Sequence, residues 1–390
     1  MSYIISGCRT PIGKFLGGLA GVSAPQLAAV CIAEALRRAE LAPEQVNEVI
    51  LGQILTAGVG QAPARQAALA AGLPPTVAAL TINKMCGSGL KAVMLADQLI
   101  RSGDARCVVA GGMENMSRAP HLLVGVREGW KYGPQTALDS MMHDGLWCPF
   151  EDAAMGAAAD YIAVSRGVCR GDQDAFAAES HRRAAVAIAE GRCRDEIVPV
   201  TVPGRKGDVV IDRDEGPRPE TTVEKLATLK PAFAAEGTVT AGNASQLSDG
   251  AAVVVVVDDE LGRASHSPLK ARVVASATSG VEPKEIFIAP VTAIERVLAK
   301  ARLTLAEIDL IELNEAFAAQ CLACARPLKL DLAKTNVHGG AIALGHPIGA
   351  SGARVLVTLL HALHARGLRR GLASLCLGGG NAVAMIVERE

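Results

Sequence analysis

The apolar positions of this chain alternate between a helical and a strand-like spacing. Residues 25–39 place apolar side chains at helical spacing above a polar face, and the following segment 46–52 predicts a strand. The same order recurs further on, with a helix predicted over 89–100 and a strand over 107–112. This pattern predicts an α/β protein whose strands are covered by helices on both faces.

The end of the chain repeats its beginning. Residues 39–50 align with 301–312, and residues 88–91 fall opposite 351–354 at nearly the same offset. We therefore expect two related α/β halves, although two generic α/β units that converged in sequence are the alternative.

The middle of the chain departs from this pattern. Residues 119–241 are interrupted by eight prolines and contain one predicted amphipathic helix, over 172–190. An insertion of this kind on a rigid scaffold is a natural place for substrate binding. A helix is also predicted over 353–363, and the longest apolar run, 251–257, is too short to span a bilayer and predicts a buried strand.

Composition excludes several classes of function. Half of the 390 residues are hydrophobic but only 3% are aromatic, so the core must consist of Ala, Val, Leu and Ile. The 39 basic and 40 acidic residues nearly cancel, which gives no electrostatic argument for a nucleic acid or membrane partner.

The first residues lack the regions of a secretory signal, so we expect reduced cysteines and a cytoplasmic protein. Cys321 and Cys324 form a Cys-x-x-Cys pair, but their helix-like context favours packing over a metal or redox role.

Cys86 opens a run of small residues directly after the apolar segment 78–83. This places a thiol where a strand gives way to a helix. The N-terminus of a helix carries unpaired N–H groups and a partial positive charge, and both favour the nucleophilic thiolate. A buried structural cysteine is the alternative interpretation.

Two later segments offer a base and a second thiol. His346 lies in a Gly-Pro turn before an apolar helix, and a neutral histidine held near a thiol commonly activates it. Cys376 ends an apolar strand before three glycines, where free N–H groups could hold an oxyanion. Taken singly, each could also be structural: a histidine in a tight loop and a cysteine buried in a strand.

Asn314 follows the strand predicted over 308–313. It could cap the next helix, which is the commoner role for asparagine in that position, or it could orient a water molecule.

Eight short segments, in this order, carry a resemblance that spans nearly the whole chain. They are RTPIGKF (9–15), GQAPARQA (60–67), NKMCGSG (83–89), GMENMS (112–117), TAGNAS (240–245), NEAF (314–317), GHP (345–347) and CLGGG (376–380). Together they resemble the thiolase family, specifically its acetyl-CoA acetyltransferase type. The resemblance implies a duplicated thiolase fold with helices between mixed sheets and an inserted loop domain that binds CoA. The implied ranges are 1–118 for the N-terminal half, completed by about 246–268, then 119–245 for the insertion and 269–390 for the C-terminal half.

The resemblance also implies catalytic roles. Cys86 would be the nucleophile that accepts an acyl group from a thioester, and His346 the base that activates it. Cys376 would move the α-proton of acetyl-CoA. Asn314 would hold a water that, with His346, stabilises the enolate oxygen, while the N–H groups of Cys86 and Gly378 would form a second oxyanion hole.

The positions that match the CoA-binding residues of the family are Leu146, Met155, Arg218, Lys225, Phe233, Ala241, Ser245, Ala316 and Phe317. Arg218 would lie beside the nucleotide end, where a guanidinium suits a phosphate. Lys225 replaces a small polar residue common there. Ala154 stands where biosynthetic members often carry histidine, and segment 286–290 departs from the usual glycine-rich version. Both departures concern acyl chain length rather than the chemistry.

The implied activity is the reversible Claisen condensation of two acetyl-CoA molecules to acetoacetyl-CoA and CoA, through an acyl-Cys86 intermediate. The alternatives are a degradative 3-ketoacyl-CoA thiolase of broader chain length, a decarboxylating ketosynthase and a non-catalytic acyl-CoA binder. Ketosynthases use Cys-His-His, so Cys376 argues against the second; a binder need not keep Cys86, His346 and Cys376. We expect no metal, no cofactor beyond the CoA thioester substrates, and a homo-oligomer, either a tetramer or a dimer.

Overall fold

One mixed sheet of ten strands runs through the protein in the computed structural model, which describes residues 1–204 and 207–390. In chain order the strands of the protein are β1 (Tyr3–Arg9), β2 (Gly13–Lys14), β3 (Glu48–Gly52), β4 (Ala78–Ile82), β5 (Cys107–Asn115), β6 (His121–Leu122), β7 (Leu138–Asp139), β8 (Trp147–Cys148), β9 (Ala153–Ala154), β10 (Val200–Val202), β11 (Val209–Ile211), β12 (Ser248–Val257), β13 (Ala271–Gly280), β14 (Leu310–Leu313), β15 (Arg370–Leu377) and β16 (Asn381–Arg389). The α-helices are α1 (Ala24–Ala39), α2 (Pro63–Ala70), α3 (Ser88–Ser102), α4 (Met155–Ser165), α5 (Arg170–Ala189), α6 (Val223–Ala227), α7 (Asp259–Ala264), α8 (Ala289–Ala301), α9 (Ala318–Leu328), α10 (Ala341–Leu344) and α11 (Ser351–Ala365).

The order of strands shows that the sheet is built twice. In the first half β3 is parallel to β5, β5 is antiparallel to β12, and β12 is antiparallel to β1. In the second half β14, β15, β16 and β13 follow with the same order and directions. The halves join where Tyr3 of β1 pairs with Arg272 of β13. This repeat confirms the predicted duplicated α/β fold.

We propose the domain division that the motifs implied: 1–118 with about 246–268, then 119–245, then 269–390. The position of β12 supports it, because this strand follows the insertion in sequence but lies between β1 and β5 of the first half. The insertion carries the short ribbons β6–β7, β8–β9 and β10–β11 together with α4, α5 and α6.

The elements predicted from periodicity occur, with small differences at their ends. The four predicted helices correspond to α1, α3, α5 and α11, whose ends differ from the prediction by two residues at most. The strand predicted from residue 46 begins at Glu48, because Pro43–Gln45 form a short 3-10 turn before it. The strand predicted over 107–112 continues to Asn115, so that Glu114 lies inside the sheet.

The apolar run in β12 is continuous because both of its faces are buried. Val254 and Val256 face a core that contains α3 and α11, whereas Val253, Val255 and Val257 face a second core formed with α1 and α2. Successive side chains of a strand point to opposite faces, so a run of valines serves two cores at once.

The helices α3 and α11 approach each other through glycines in their first turns. A Cβ atom on Gly89 would lie 2.6 Å from the backbone nitrogen of Ala353, and one on Gly352 would overlap the backbone nitrogen of Leu90. Only glycine allows two backbones to come this close. The N-terminal ends of both helices therefore meet in the interior and bring together the segments that precede them.

None of the described helices is both long enough and apolar enough to cross a lipid bilayer.

Replacing Gly352 with alanine tests this contact. Alanine is the better helix former by up to ~1 kcal/mol, but overpacking against a backbone that cannot move aside costs ~1–3 kcal/mol. We expect a net loss of stability, measured as a lower midpoint of urea unfolding. Gly171→Ala is the matched control: it is also the second residue of its helix, and the nearest atom to a new Cβ is 4.0 Å away. Equal effects of the two substitutions would show that the close approach is not a constraint.

Candidate active site

Cys86 lies in a tight turn at the start of α3. The preceding residue, Met85, has a φ of 46°, a left-handed conformation that costs ~1–3 kcal/mol for a residue other than glycine. The hydroxyl of Ser88 holds this turn, because it accepts a hydrogen bond from the Lys84 N–H at 2.7 Å and donates one to the Met85 carbonyl at 2.7 Å. The sequence placed Cys86 correctly at the entry to a helix.

The surroundings of Cys86 favour the thiol over the thiolate. Burial raises the pKa of Cys86 to about 11, although hydrogen bonds from the backbone N–H groups of Gly378 and of Cys86 itself oppose that rise. The N–H groups favour the thiolate, as expected at the start of a helix, but desolvation outweighs them in the resting site. The same N–H groups lie beside the Cys86 sulfur, near the place where the carbonyl oxygen of an acyl group on that sulfur would be.

His346 precedes α11 and is held as a neutral imidazole. Its Nδ1 lies 2.6 Å from the hydroxyl of Ser351, and that hydroxyl donates to the Pro347 carbonyl at 2.9 Å. Since the hydroxyl proton is used in this way, Ser351 must accept from Nδ1–H, which leaves the lone pair on Nε2. Burial, with a contribution from nearby Arg354, lowers the pKa of His346 to about 3.

Cys376 is buried near the end of β15, two residues before Gly378 in the turn to β16. Burial raises the pKa of Cys376 well above its usual value, and the neighbouring Cys86 thiolate would raise it further. The influence of Cys86 on the pKa of Cys376 indicates that the two residues lie in one region of the interior, although they are 290 positions apart in the chain.

Asn314 directly follows β14, whose Leu313 pairs with Ser374 of β15. Its backbone N–H donates to the Ser374 carbonyl at 3.0 Å, so Asn314 lies one strand away from Cys376. The alternative role as a helix cap is wrong, because α9 begins only at Ala318. The side-chain nitrogen of Asn314 is buried and has no hydrogen-bond partner among the described residues.

A small apolar cavity of about 110 Å³ joins His346 to the predicted CoA-binding region. Its lining includes Ala154 and five of the positions predicted to bind CoA: Leu146, Met155, Phe233, Ser245 and Phe317. Leu146 also packs against the apolar cluster that contacts Cys86. His346 and five of the nine predicted CoA-binding residues therefore line one cavity, and Cys86 packs against the apolar cluster beside it.

The other four predicted CoA-binding residues lie outside this cavity. Ala316 is buried, and its carbonyl accepts from the Ser245 N–H at 3.0 Å, whereas Ala241 is exposed in a turn. Arg218 is exposed beside His181, and the Lys225 ammonium donates to the Glu220 carbonyl at 2.9 Å. A role for the two cations at the nucleotide end of CoA stays a prediction.

Cys321 and Cys324 are buried in α9, in agreement with the packing role expected for them. The Cys324 thiol donates to the Phe287 carbonyl at 3.0 Å. Across residues 1–204 and 207–390, no group of three or more His, Cys, Asp or Glu side chains is arranged to hold a metal ion.

Two positioning residues were missed from sequence. Ser351 lies five residues after His346 and two residues before the helix predicted over 353–363, which was the available indication of its role. Glu114 was quoted only within a motif, but its carboxylate accepts N–H groups of Ile54, Leu55 and Gly349 at 3.0–3.2 Å. Burial raises the pKa of Glu114 to about 7. A carboxylate at the end of a predicted buried strand was the available indication.

This geometry suits acyl transfer through a thioester, since one thiol can carry an acyl group while a second group moves a proton beside it. Comparison with known proteins gives the class. Residues 2–260 match the description "Thiolase, N-terminal domain" and residues 267–389 match "Thiolase, C-terminal domain". The chain belongs to the thiolase family, and the resemblance drawn from its motifs is confirmed.

Relatives of this chain cover nearly its whole length. It is 54% identical to an acetyl-CoA acetyltransferase of Pseudomonas aeruginosa and 53% identical to one of Cupriavidus necator, with 99% of both chains covered in each case. A crystal structure of the Bacillus anthracis acetyl-CoA acetyltransferase superposes with a TM-score of 0.97 at 43% identity, covering 99% of this chain and 98% of that one.

Substituting Ser351 with alanine tests how His346 is held. The buried Nδ1–H would lose its acceptor and the tautomer would no longer be fixed, so part of the ~100-fold to ~10,000-fold contribution of a general base should be lost from kcat. Steady-state kinetics would measure this. Thr358→Val on the same helix removes a buried hydroxyl that has no hydrogen-bond partner within residues 1–204 and 207–390, and it should leave kcat unchanged. A Ser351→Ala enzyme as active as this control would contradict the assignment.

Proposed function

We propose that this protein condenses two molecules of acetyl-CoA to acetoacetyl-CoA and CoA, and catalyses the reverse thiolysis. The main support for the proposal is that Cys86, Cys376 and the Gly378 N–H lie in one region, beside the cavity that His346 lines. The names of the relatives support the acetyl substrate. A degradative 3-ketoacyl-CoA thiolase would use the same groups and differ in the space around the acyl chain.

In the first half-reaction His346 accepts the proton of Cys86, and the thiolate attacks the carbonyl carbon of acetyl-CoA. The oxyanion is held by the N–H groups of Cys86 and Gly378, which are already in place when charge develops. Cys376 gives its proton to the departing sulfur of CoA. The products are acetyl-Cys86, free CoA, the Cys376 thiolate and protonated His346.

In the second half-reaction the Cys376 thiolate removes an α-proton from a second acetyl-CoA. Burial makes this thiolate a strong base, because its charged form is poorly solvated. His346 and a water held by Asn314 stabilise the enolate oxygen. The enolate carbon attacks acetyl-Cys86, acetoacetyl-CoA leaves, and the Cys86 sulfur takes back its proton from His346, which restores the resting state.

The test of the proposed function follows the two thiols separately. Incubation with acetyl-CoA and peptide mass spectrometry should place an acetyl group on Cys86. Cys376→Ser should still be acetylated there, though more slowly because the proton donor to CoA is weakened, whereas exchange of the acetyl-CoA methyl protons with deuterium oxide should fall by ~100-fold or more. Cys324→Ser, another buried thiol, is the matched control and should keep both steps. Acetylation only at Cys376, or full exchange without it, would refute the roles.

The two departures from the family pattern, at Ala154 and in segment 286–290, bear on the length of the acyl chain that the protein accepts. Ala154 lines the cavity next to Met155, where a larger side chain would take up space. Phe287 packs edge-to-face on Phe317 with ring centroids 5.2 Å apart, and Phe317 contacts Phe233 in the same way at 6.4 Å. This row of three aromatic rings extends from the cluster around Cys376 to the mouth of the cavity. We propose that Ala154 and Phe287 adjust acyl selection and leave the chemistry unchanged.

Ala154→His should therefore shift preference toward acetoacetyl-CoA over longer 3-ketoacyl-CoA thioesters. A methylene in an apolar pocket is worth only ~1–3 kcal/mol, so the shift should be graded along the series. The measurement is kcat/KM for each chain length. Ala153→His, on the same ribbon but outside the cavity, is the control. Unchanged ratios in Ala154→His would show that this position does not set specificity.

We propose a homo-oligomer, a tetramer with a dimer as the alternative. The insertion exposes several large apolar side chains within ten residues: Leu123, Val124, Val126, Trp130 and Tyr132. A cluster of this kind on a single chain is typical of a protein interface. A reducing compartment, the cytoplasm, would keep both reacting thiols available, since all ten cysteines are free.

Replacing Leu123 and Trp130 with serine should weaken this assembly, because the apolar area that it would bury is reduced. Light scattering of the unmodified protein should give a mass that is a multiple of one chain, and the double variant should give a smaller one. A fully active monomer at micromolar concentration would refute the oligomer.

A further inference from the structure

A buried ion pair lies behind the site, between α11 and β14. The guanidinium of Arg354 is 1% exposed, and its Nη1 donates to the Glu312 carboxylate at 3.4 Å. Burial raises the pKa of Glu312, and the guanidinium of Arg354 opposes this rise by favouring the carboxylate. Replacing a buried pair with apolar residues is often neutral or stabilising. Stability of the fold therefore gives no reason for this pair to be present.

The internal repeat shows that only one half of the protein carries the pair. In the alignment of the halves, Ile50 occupies the position of Glu312 and Lys91 that of Arg354. Ile50 is a buried apolar residue of β3, and Lys91 remains partly exposed. At these two positions the first half thus forms the same strand and helix without a buried ion pair. The pair occurs in the half that supplies His346, Asn314 and Cys376.

Arg354 also makes a second contact, with Asn314. Its Nη2 donates to Oδ1 of the amide at 3.5 Å. A guanidinium has only donors, so the amide atom that faces it must be the oxygen. The amide nitrogen is consequently directed elsewhere, and it is the buried atom that lacks a hydrogen-bond partner among the described residues. The contact with Arg354 leaves this donor available to a substrate or water.

We propose that Arg354, held by Glu312, is a positioning residue that fixes the Asn314 amide with its N–H donor available to the enolate oxygen or its water. This inference rests on the proposed function, because it deepens the role of Asn314 in forming the carbon–carbon bond. It assigns Arg354 to the proton-abstraction step rather than to acetylation of Cys86, whose oxyanion is held by other N–H groups.

A double-mutant cycle separates this role from a purely structural one. Glu312→Leu combined with Arg354→Met removes both charges and leaves neither unpaired. Exchange of acetyl-CoA methyl protons with deuterium oxide should fall by ~100-fold to ~1,000-fold, as for the loss of an oxyanion donor, and acetylation of Cys86 should stay near that of the unmodified protein. Asn314→Ala should lose a similar factor. Added to Asn314→Ala, the double replacement should cost nothing more, since coupled residues are not additive.

Arg354→Lys provides a variant that keeps the charge should the double replacement fail to fold. Lysine lacks the planar fork, so exchange should fall while acetylation is retained, and the loss should again vanish in the Asn314→Ala background. An equal loss of both steps, or the same loss of exchange with and without Asn314, would overturn the inference. Failure of the unmodified protein to acetylate Cys86 or to exchange protons would instead refute the proposed function.

Discussion

The close crossing of α3 and α11 is the constraint on which the site depends. Glycines in the first turn of each helix let the two backbones touch, and the residues just before each helix, Cys86 and His346, are thereby brought to one place. This arrangement brings two positive helix ends together, which is unfavourable unless acceptors are supplied. The buried carboxylate of Glu114 is one such acceptor, since it binds the Gly349 N–H before α11 and the loop beside Cys86.

Burial at this crossing determines how the reacting groups are charged. It raises the pKa of both thiols and lowers that of His346, so the resting site consists of two thiols and a neutral imidazole. At rest a thiolate–imidazolium pair is disfavoured because the interior solvates neither charge well, and in the proposed reaction this pair forms only after the acetyl group has been transferred. The proton transfers proposed above therefore pass directly among Cys86, His346, Cys376 and the substrate. The fixed N–H groups of Cys86 and Gly378 stabilise charge only where and when it forms.

Periodicity predicted most of the fold, because the spacing of apolar residues identifies a helix or a strand locally even where the residues that bury it are distant in sequence. The repeat and the placement of Cys86 at a helix start also followed from the sequence. The protonation state of Cys86 did not follow from the sequence, because the burial of its thiol and the hydrogen bond from Gly378 involve segments far along the chain. The helix-cap interpretation of Asn314 failed because the chain runs extended through Phe317 before α9 begins. The contacts of Ser351 and Arg354 could not be predicted, because they depend on side-chain geometry that a motif does not encode.

Duplication explains how the two halves came to differ in charge while keeping one architecture. Each half forms four strands in the same order and the same central helix. The proposed nucleophile nevertheless comes from the first half, whereas the proposed base, the second thiol and Asn314 come from the second. The first half has Ile50 and Lys91 where the second half has Glu312 and Arg354. This buried pair lies beside the side-chain amide of Asn314, which we propose to act on the enolate. The scaffold tolerates this charge because the crossing helices and the sheet already supply the apolar burial of both halves. The second half can therefore carry buried charged residues for the chemistry, because the apolar burial in both halves stabilises the fold.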